Sequence, residues 1–225
     1  MRILRRQFSL WGRVCGAGAI FLCAGCMEMF QIKQRVIVDA ICAPGAAKPA
    51  GLSYRLMIRK SVATSQPVQL PVIKACVDAS LIRAGLYEAP PTVPSDIFIE
   101  INFGMDTTTR IDPAARESFL QFSARSNHQH QIDSSLNEEE LWDVRVAIMG
   151  LAGRLETAMP LLATVASNNM GADTHTETVL QVADNSPEVA SVRQMALQSL
   201  TVQTKSTTQA VSASATATAG ATTAK

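Results

Sequence analysis

The segment Asp96–Gly104 reads DIFIEINFG, and the order of its residue types decides the fold class. Large apolar residues stand at every second position, while Glu100 and Asn102 stand between them. An alternation with a period of two predicts a β-strand that buries one face. Five more segments rich in branched or alternating apolar residues predict further strands: residues 35–42, 52–59, 118–125, 141–149 and 177–183.

A helix is predicted between the second strand and the DIFIEINFG strand. Pro71 suits its first position, where the missing N–H has no intrahelical partner to lose. From Ile73 to Ala84, apolar residues recur at spacings that place them on one helical face. Gly85 then supplies a left-handed C-terminal stop. This segment therefore has a start signal, an apolar face and a stop signal.

Two more helices are predicted nearer the C-terminus. One lies between residues 154 and 171, where Pro160 conflicts with an uninterrupted helix. Either Thr157 is the true N-cap and Pro160 lies in the first turn, or the helix kinks at the proline. Ser186 followed by Pro187 predicts the start of a final helix that runs to about residue 200.

The predicted element order is β-β-α-β-β-β-α-β-α. Several strands follow one another without a crossover helix, which disfavours a doubly wound nucleotide-binding sheet. We expect an α+β fold: a two-layer sandwich whose mixed or largely antiparallel sheet is covered by helices on one face.

The N-terminus has the layout of a signal peptide. Its basic residues include Arg5 and Arg6, and an apolar run of about a dozen residues follows. That run is shorter than the roughly 20 residues of a membrane-spanning helix. Ala24-Gly25-Cys26 resembles a lipobox, which predicts cleavage before Cys26 and lipid attachment to its thiol. Cys23 replaces the usual leucine of that motif, and an ordinary cleaved leader is the alternative.

The export route has two interpretations. Arg5 and Arg6, followed by Phe8, resemble a twin-arginine signal, which carries folded proteins across the membrane. Leu4 stands where that signal usually has serine or threonine, and the same arginines also suit a general secretory signal. Met27 is not the aspartate that retains lipoproteins in the inner membrane, so we expect an outer-membrane lipoprotein facing the periplasm.

Composition divides the chain into four segments and limits its functions. We predict a signal peptide at residues 1–25, a lipidated cysteine and tether at 26–34, one α+β domain at 35–200, and a disordered Ala/Thr/Ser-rich tail at 201–225. The chain has 20 basic and 19 acidic residues, and loss of the four leader arginines leaves 16 basic ones. Such an acidic mature chain lacks the charge pattern of nucleic-acid binding.

Two cysteines remain in the predicted domain. Cys42 and Cys76 would face an oxidising compartment, where disulfides persist. A bridge between them would close a loop worth about 3–4 kcal/mol in the chain-entropy model. Two buried free thiols are the alternative, and the sequence leaves both open.

Several segments together resemble an uncharacterised family of proteobacterial lipoproteins with one compact α+β domain. They are VDAICAPGAA, SYRLMIR, the Cys76 helix that ends Ala84-Gly85, PSDIFIEINFG, LWDVRVAI and ADNSPEVASV, within residues 35–198. The resemblance implies an envelope lipoprotein, and that family supplies no established active site.

The sequence offers few candidates for chemistry. His128 and His130 with Asp133 form its one metal-like cluster, but the surrounding polar segment favours solvated histidines, and we expect no metal or cofactor. His175 is expected to be a structural loop residue, since no nucleophile motif accompanies it. Tyr54 and Trp142 are expected to pack in the core or, if their strand faces line a groove, to contact a peptide or lipid.

The leading functional hypothesis is non-enzymatic. It is an anchored module that binds or scaffolds another envelope protein or peptide. A periplasmic enzyme, such as a hydrolase exported in folded form, is the alternative, and a metal-binding protein is a third possibility.

Overall fold

The computed structural model describes residues 32–46, 49–60, 68–107, 116–128, 132, 139–149 and 154–220, without the side chains of 60, 106, 107, 116 and 206–220. Ten elements follow in chain order: β1 Lys33–Cys42, β2 Ser53–Lys60, α1 Leu70–Arg83, β3 Tyr87–Glu88, β4 Ile97–Thr107, β5 Arg116–Ser126, β6 Glu140–Met149, α2 Leu155–Asn168, β7 Thr178–Ala183 and α3 Pro187–Gly220.

The described strands form one seven-stranded sheet in the order β3-β2-β4-β5-β6-β1-β7. β2 is parallel to both β3 and β4, and every other neighbouring pair is antiparallel. The α+β class and the mixed sheet are therefore confirmed. β3 is the one described strand that was not predicted, because two residues are too few to show an alternation.

Alternate residues of the strands build a single hydrophobic cluster with the helices. Trp142 and Tyr54 are its largest buried side chains, and Val189 and Val192 of α3 belong to it as well. The prediction that Tyr54 and Trp142 lie in the core is confirmed, because both are at most 1% exposed. Side chains at the intervening strand positions point away from this cluster, onto what we call the second face of the sheet.

The end of α1 follows its predicted signals. Ala84 is the C-cap, and Gly85 has a φ of 92°. This left-handed conformation strains residues with a side chain, which explains glycine at the position. The Leu86 N–H then donates to the carbonyl oxygen of Leu81 at 3.1 Å, which turns the chain back toward β3.

The structure decides between the two predicted starts of α2. Its N-cap is Arg154, not Thr157, and Pro160 lies inside the helix. Proline cannot donate to the carbonyl four residues earlier, which belongs to Glu156. Pro160 is itself buried in the core. The helix therefore lacks one hydrogen bond at this position but gains the favourable burial of the proline ring.

α3 begins as predicted and continues further than predicted. Ser186 caps it, with its hydroxyl accepting a hydrogen bond from the Val189 N–H at 3.4 Å. The helix runs to Gly220, whereas we expected irregular structure from Thr201. Side chains from Thr201 to Lys205 are exposed, so this part of α3 continues the helix already nucleated in the core without adding buried surface.

Candidate functional site

The residues of the predicted leader lie outside the described part of the chain. These are the lipidation candidate Cys26 and the export-signal residues Arg5, Arg6 and Phe8. No helix among the described residues is both long and apolar enough to cross a bilayer.

Cys42 and Cys76 are free thiols in the structure. The Cys42 Sγ lies 3.6 Å from the carbonyl oxygen of Ala43, and its side chain is half-buried. Burial raises the pKa of the Cys76 thiol to about 11, against the opposing effect of the nearby Arg193 charge. Of the two alternatives left open by the sequence, the structure shows the unbridged one.

The two histidines that the structure describes, His128 and His175, are both exposed. His128 is exposed, while His130 and Asp133 lie outside the described residues. His175 is 84% exposed and has a φ of 56°, with its Nδ1 3.1 Å from Oδ1 of Asp173. Among the described residues, no group of three or more potential metal ligands occurs. His175 is thus part of a tight surface turn.

A polar network that was not predicted from the sequence links β2, α1 and β3. The Tyr54 hydroxyl donates to Oδ1 of Asp78 at 3.0 Å. Lys74 Nζ lies 2.6 Å from Oδ2 of the same carboxylate and 3.1 Å from Oε1 of Glu88. Lys74 and Asp78 are four residues apart in α1, a spacing that signals an ion pair. The contacts to Tyr54 and Glu88 depend on tertiary structure and have no such signal.

Burial is the largest single influence on each shifted pKa in this network, and for Lys74 the other influences together exceed it. Desolvation raises the pKa of Tyr54 and of Asp78 above their ordinary values. Burial alone would lower the pKa of Lys74, but hydrogen bonds and charges from Asp78 and Glu88 outweigh it and raise that pKa. Because Tyr54 is fully buried, this network has the character of an internal support for the sheet edge.

A second polar network covers the middle of the second face. Arg145 donates to Oε1 of Glu117 at 3.1 Å, and its guanidinium lies 4.4 Å from the centre of the Phe119 ring. Gln121 donates from Nε2 to both carboxylate oxygens of Asp143, at 3.0 and 2.9 Å. These contacts bridge β5 and β6, whose register places Gln121 opposite Arg145.

The neighbouring strands extend this network. Arg59 of β2 lies 2.5 Å from Glu100 of β4, whose side chain is only 14% exposed. Burial raises the pKa of Asp143, and Glu140 and Asp39 add to the rise, while the hydrogen bonds from Gln121 and Ser123 oppose it. Glu100 is therefore a largely covered partner in an ion pair.

The comparisons with known proteins leave the family open. No family model and no curated protein matches the chain. Two solved structures of the PelC dodecamer from Paraburkholderia phytofirmans, one of them a single-residue variant, are similar at a TM-score of 0.41 with 13% and 12% sequence identity. The matches cover 61% and 62% of this chain and 98% and 99% of those chains. A likeness of this size assigns neither family nor function.

Proposed function

We propose that this chain is an outer-membrane lipoprotein whose periplasmic domain is a non-enzymatic binding or scaffolding module. In this proposal the domain is a two-layer sandwich, with the helices over one face of the sheet. The second face, where Arg59 and Arg145 are partly exposed, is then the surface that contacts an envelope protein or peptide.

The observation that carries the proposal is the pairing of the charges on the second face. Glu117 is paired with Arg145, Glu100 with Arg59, and both carboxylate oxygens of Asp143 accept from Nε2 of Gln121. A catalytic acid or base needs an oxygen that can reach the substrate. Paired groups that are partly exposed offer fixed donors and acceptors instead, which suits recognition of a polar surface.

The leader supports the location. A basic segment, a short apolar run and Ala24-Gly25 before Cys26 are together typical of a lipoprotein signal. Lipid on Cys26 would connect to the domain through residues 27–32, because β1 begins at Lys33. A tether of that length would hold the domain close to the membrane surface.

The anchor is tested by Cys26→Ser. The wild-type protein is expected in the outer-membrane fraction of a density gradient, with an acyl mass on its N-terminal peptide. The variant should leave the membrane. Cys42→Ser is the matched control, which should keep both properties. Continued membrane association of Cys26→Ser, with no acyl mass on the wild type, would refute the anchor.

The binding role is tested by a pair of charge reversals. Arg145 and Arg193 are 39% and 40% exposed, and each lies 3.1 Å from one carboxylate, but only Arg145 is on the second face. In a deletion strain with an envelope permeability defect, Arg193→Glu should restore the barrier and Arg145→Glu should not. Equal rescue by both variants would contradict the proposal. Ester or peptide hydrolysis that is lost in His175→Ala would establish a hydrolase instead.

A further inference from the structure

β7 forms one edge of the described sheet. It pairs with β1 on one side, from Thr178 to Ala183, and no other described strand pairs with its outer side. The outer N–H and C=O groups of an edge strand are a template for a further strand. β7 is therefore a place where the sheet can be extended.

The two edges of the sheet differ in their protection. β3 closes the other edge with only two residues, and short edge strands resist pairing. β7 has six residues, TVLQVA, with no charge and no proline to discourage another strand. Its Val179 is 51% exposed. Of the two edges, β7 is the one suited to pairing.

Basic and acidic residues lie near opposite ends of β7. At the Ala183 end, register places Lys33 beside Ala183 and Arg35 beside Gln181, and the one acidic residue that directly follows, Asp184, is paired with Arg193. The Thr178 end follows Glu177, and the preceding turn holds Asp173. An incoming strand with the same arrangement, run antiparallel, would place its basic end beside the acidic end of this one.

We propose that β7 pairs antiparallel with β7 of a second copy of the chain, which joins two sheets into one. The basic end of each edge then lies near the acidic end of its partner, within the range of electrostatic attraction at moderate salt. Parallel pairing would bring like charges together. The inference concerns the sheet edge and does not depend on lipidation or on the second face.

Two-fold symmetry limits the register of the proposed pairing. Two identical antiparallel strands are related by a two-fold axis perpendicular to the sheet, so one residue of β7 faces its own copy. Leu180 and Gln181 are the central positions of β7. If the axis passes through either residue, most residues of β7 lie opposite a residue of the second copy. Residues directly opposite in antiparallel strands have Cα atoms about 4.5–5.5 Å apart, within the range of a disulfide.

The test is oxidative cross-linking of the full chain, purified in detergent. Leu180→Cys and Gln181→Cys are oxidised with copper phenanthroline and run on non-reducing gels. One of the two should form a dimer at least five-fold more efficiently than the other, reversible by dithiothreitol. The wild type, with its own cysteines, gives the background. Val202→Cys, at an exposed position of α3, measures random collision.

The proposal is overturned if neither β7 variant exceeds the Val202→Cys control. A second measurement is independent of cysteine chemistry. In sedimentation velocity, Val179→Lys should shift the chain from dimer to monomer, because an added lysine discourages edge pairing. Val93→Lys, at a loop position of similar exposure, should leave the dimer intact. A wild-type chain that is monomeric at all concentrations would also refute the pairing.

Discussion

The hydroxyl of Tyr54 in β2 donates a hydrogen bond of 3.0 Å to Oδ1 of Asp78 in α1. The bond joins the sheet to a helix inside the core, since Tyr54 is fully buried. Lys74 holds the other oxygen of the same carboxylate at 2.6 Å. The carboxylate therefore has a donor on each oxygen, and the loss of one leaves part of it unsatisfied.

Tyr54→Phe is expected to lower the free energy of unfolding by about 1–3 kcal/mol, because a largely buried acceptor loses its donor while the ring still packs. Urea unfolding of the purified protein measures the change. The other tyrosine offers a matched control. Tyr87→Phe, at a position 54% exposed, should change the free energy of unfolding by no more than about 0.5 kcal/mol. An equal effect of both variants would show that the bond to Asp78 contributes nothing.

Asp143 predicts a pH dependence. Burial raises its pKa above the ordinary value, so the folded state favours the protonated form and is destabilised as the group ionises. This contribution is fully present below the unfolded pKa and is lost as pH rises through the raised folded pKa. Asp143→Asn should therefore become more stable relative to wild type between about pH 3 and pH 7. Urea unfolding of both proteins across that range tests the trend, and a difference that moves the other way would contradict it.

The two cysteines should differ in reactivity. The thiolate is the reactive form, and Cys76 is buried with a pKa of about 11, whereas Cys42 is only half-buried. Iodoacetamide at pH 8 should modify Cys42 first and Cys76 only on unfolding. Peptide mass spectrometry of timed samples gives both rates. A mass two units lower, with neither residue reactive in denaturant until a reductant is added, would show a disulfide.

The first part of α3 should contribute to the free energy of unfolding, whereas the part beyond residue 200 should contribute little. Val192→Ala removes two methyl groups from a fully buried position and should cost about 1–3 kcal/mol of unfolding free energy. Val202→Ala, at a position 63% exposed, should cost no more than about 0.5 kcal/mol. Urea unfolding compares the two. A large effect at Val202 would show that the end of the helix packs against the domain.

The same difference predicts the outcome of truncation. A chain that ends at Lys205 should lose helical circular dichroism but keep its unfolding free energy within about 0.5 kcal/mol, because the buried side chains described for α3 all precede residue 201 and remain in the shortened chain. In hydrogen exchange, amides of residues 206–220 should exchange much faster than those near Val192. Protection of both regions to the same extent would contradict this prediction.

Local signals predicted most of the elements. The alternation around Ile99, the stop at Gly85 and the cap at Ser186 all correspond to observed features. Each depends on residues close together in the chain. β3 was missed because it exists only through pairing with Ser53 and Tyr54 of β2. The start of α2 relative to Pro160 was left open because the local sequence does not show that this proline is buried in the core.

The polar networks were less predictable. Alternation around Trp142 correctly places Asp143 on the second face, but it does not indicate which strand lies beside β6. The contact to Gln121 follows from the pairing of β5 with β6. The bond from Tyr54 to Asp78 likewise depends on how α1 lies against the sheet. A sequence shows which face a side chain takes, and the fold determines its partners.

The interior position of β1 determines how the domain would respond to a pull from the membrane. A force on the tether enters at Lys33 and acts along β1, which is paired with β7 at its start and with β6 toward Cys42. The hydrogen bonds on both sides lie across the direction of force, so they are loaded in shear and must yield together. An edge strand pulled from its end could peel away one bond at a time. The proposed anchor is thus attached to a strand that resists mechanical extraction.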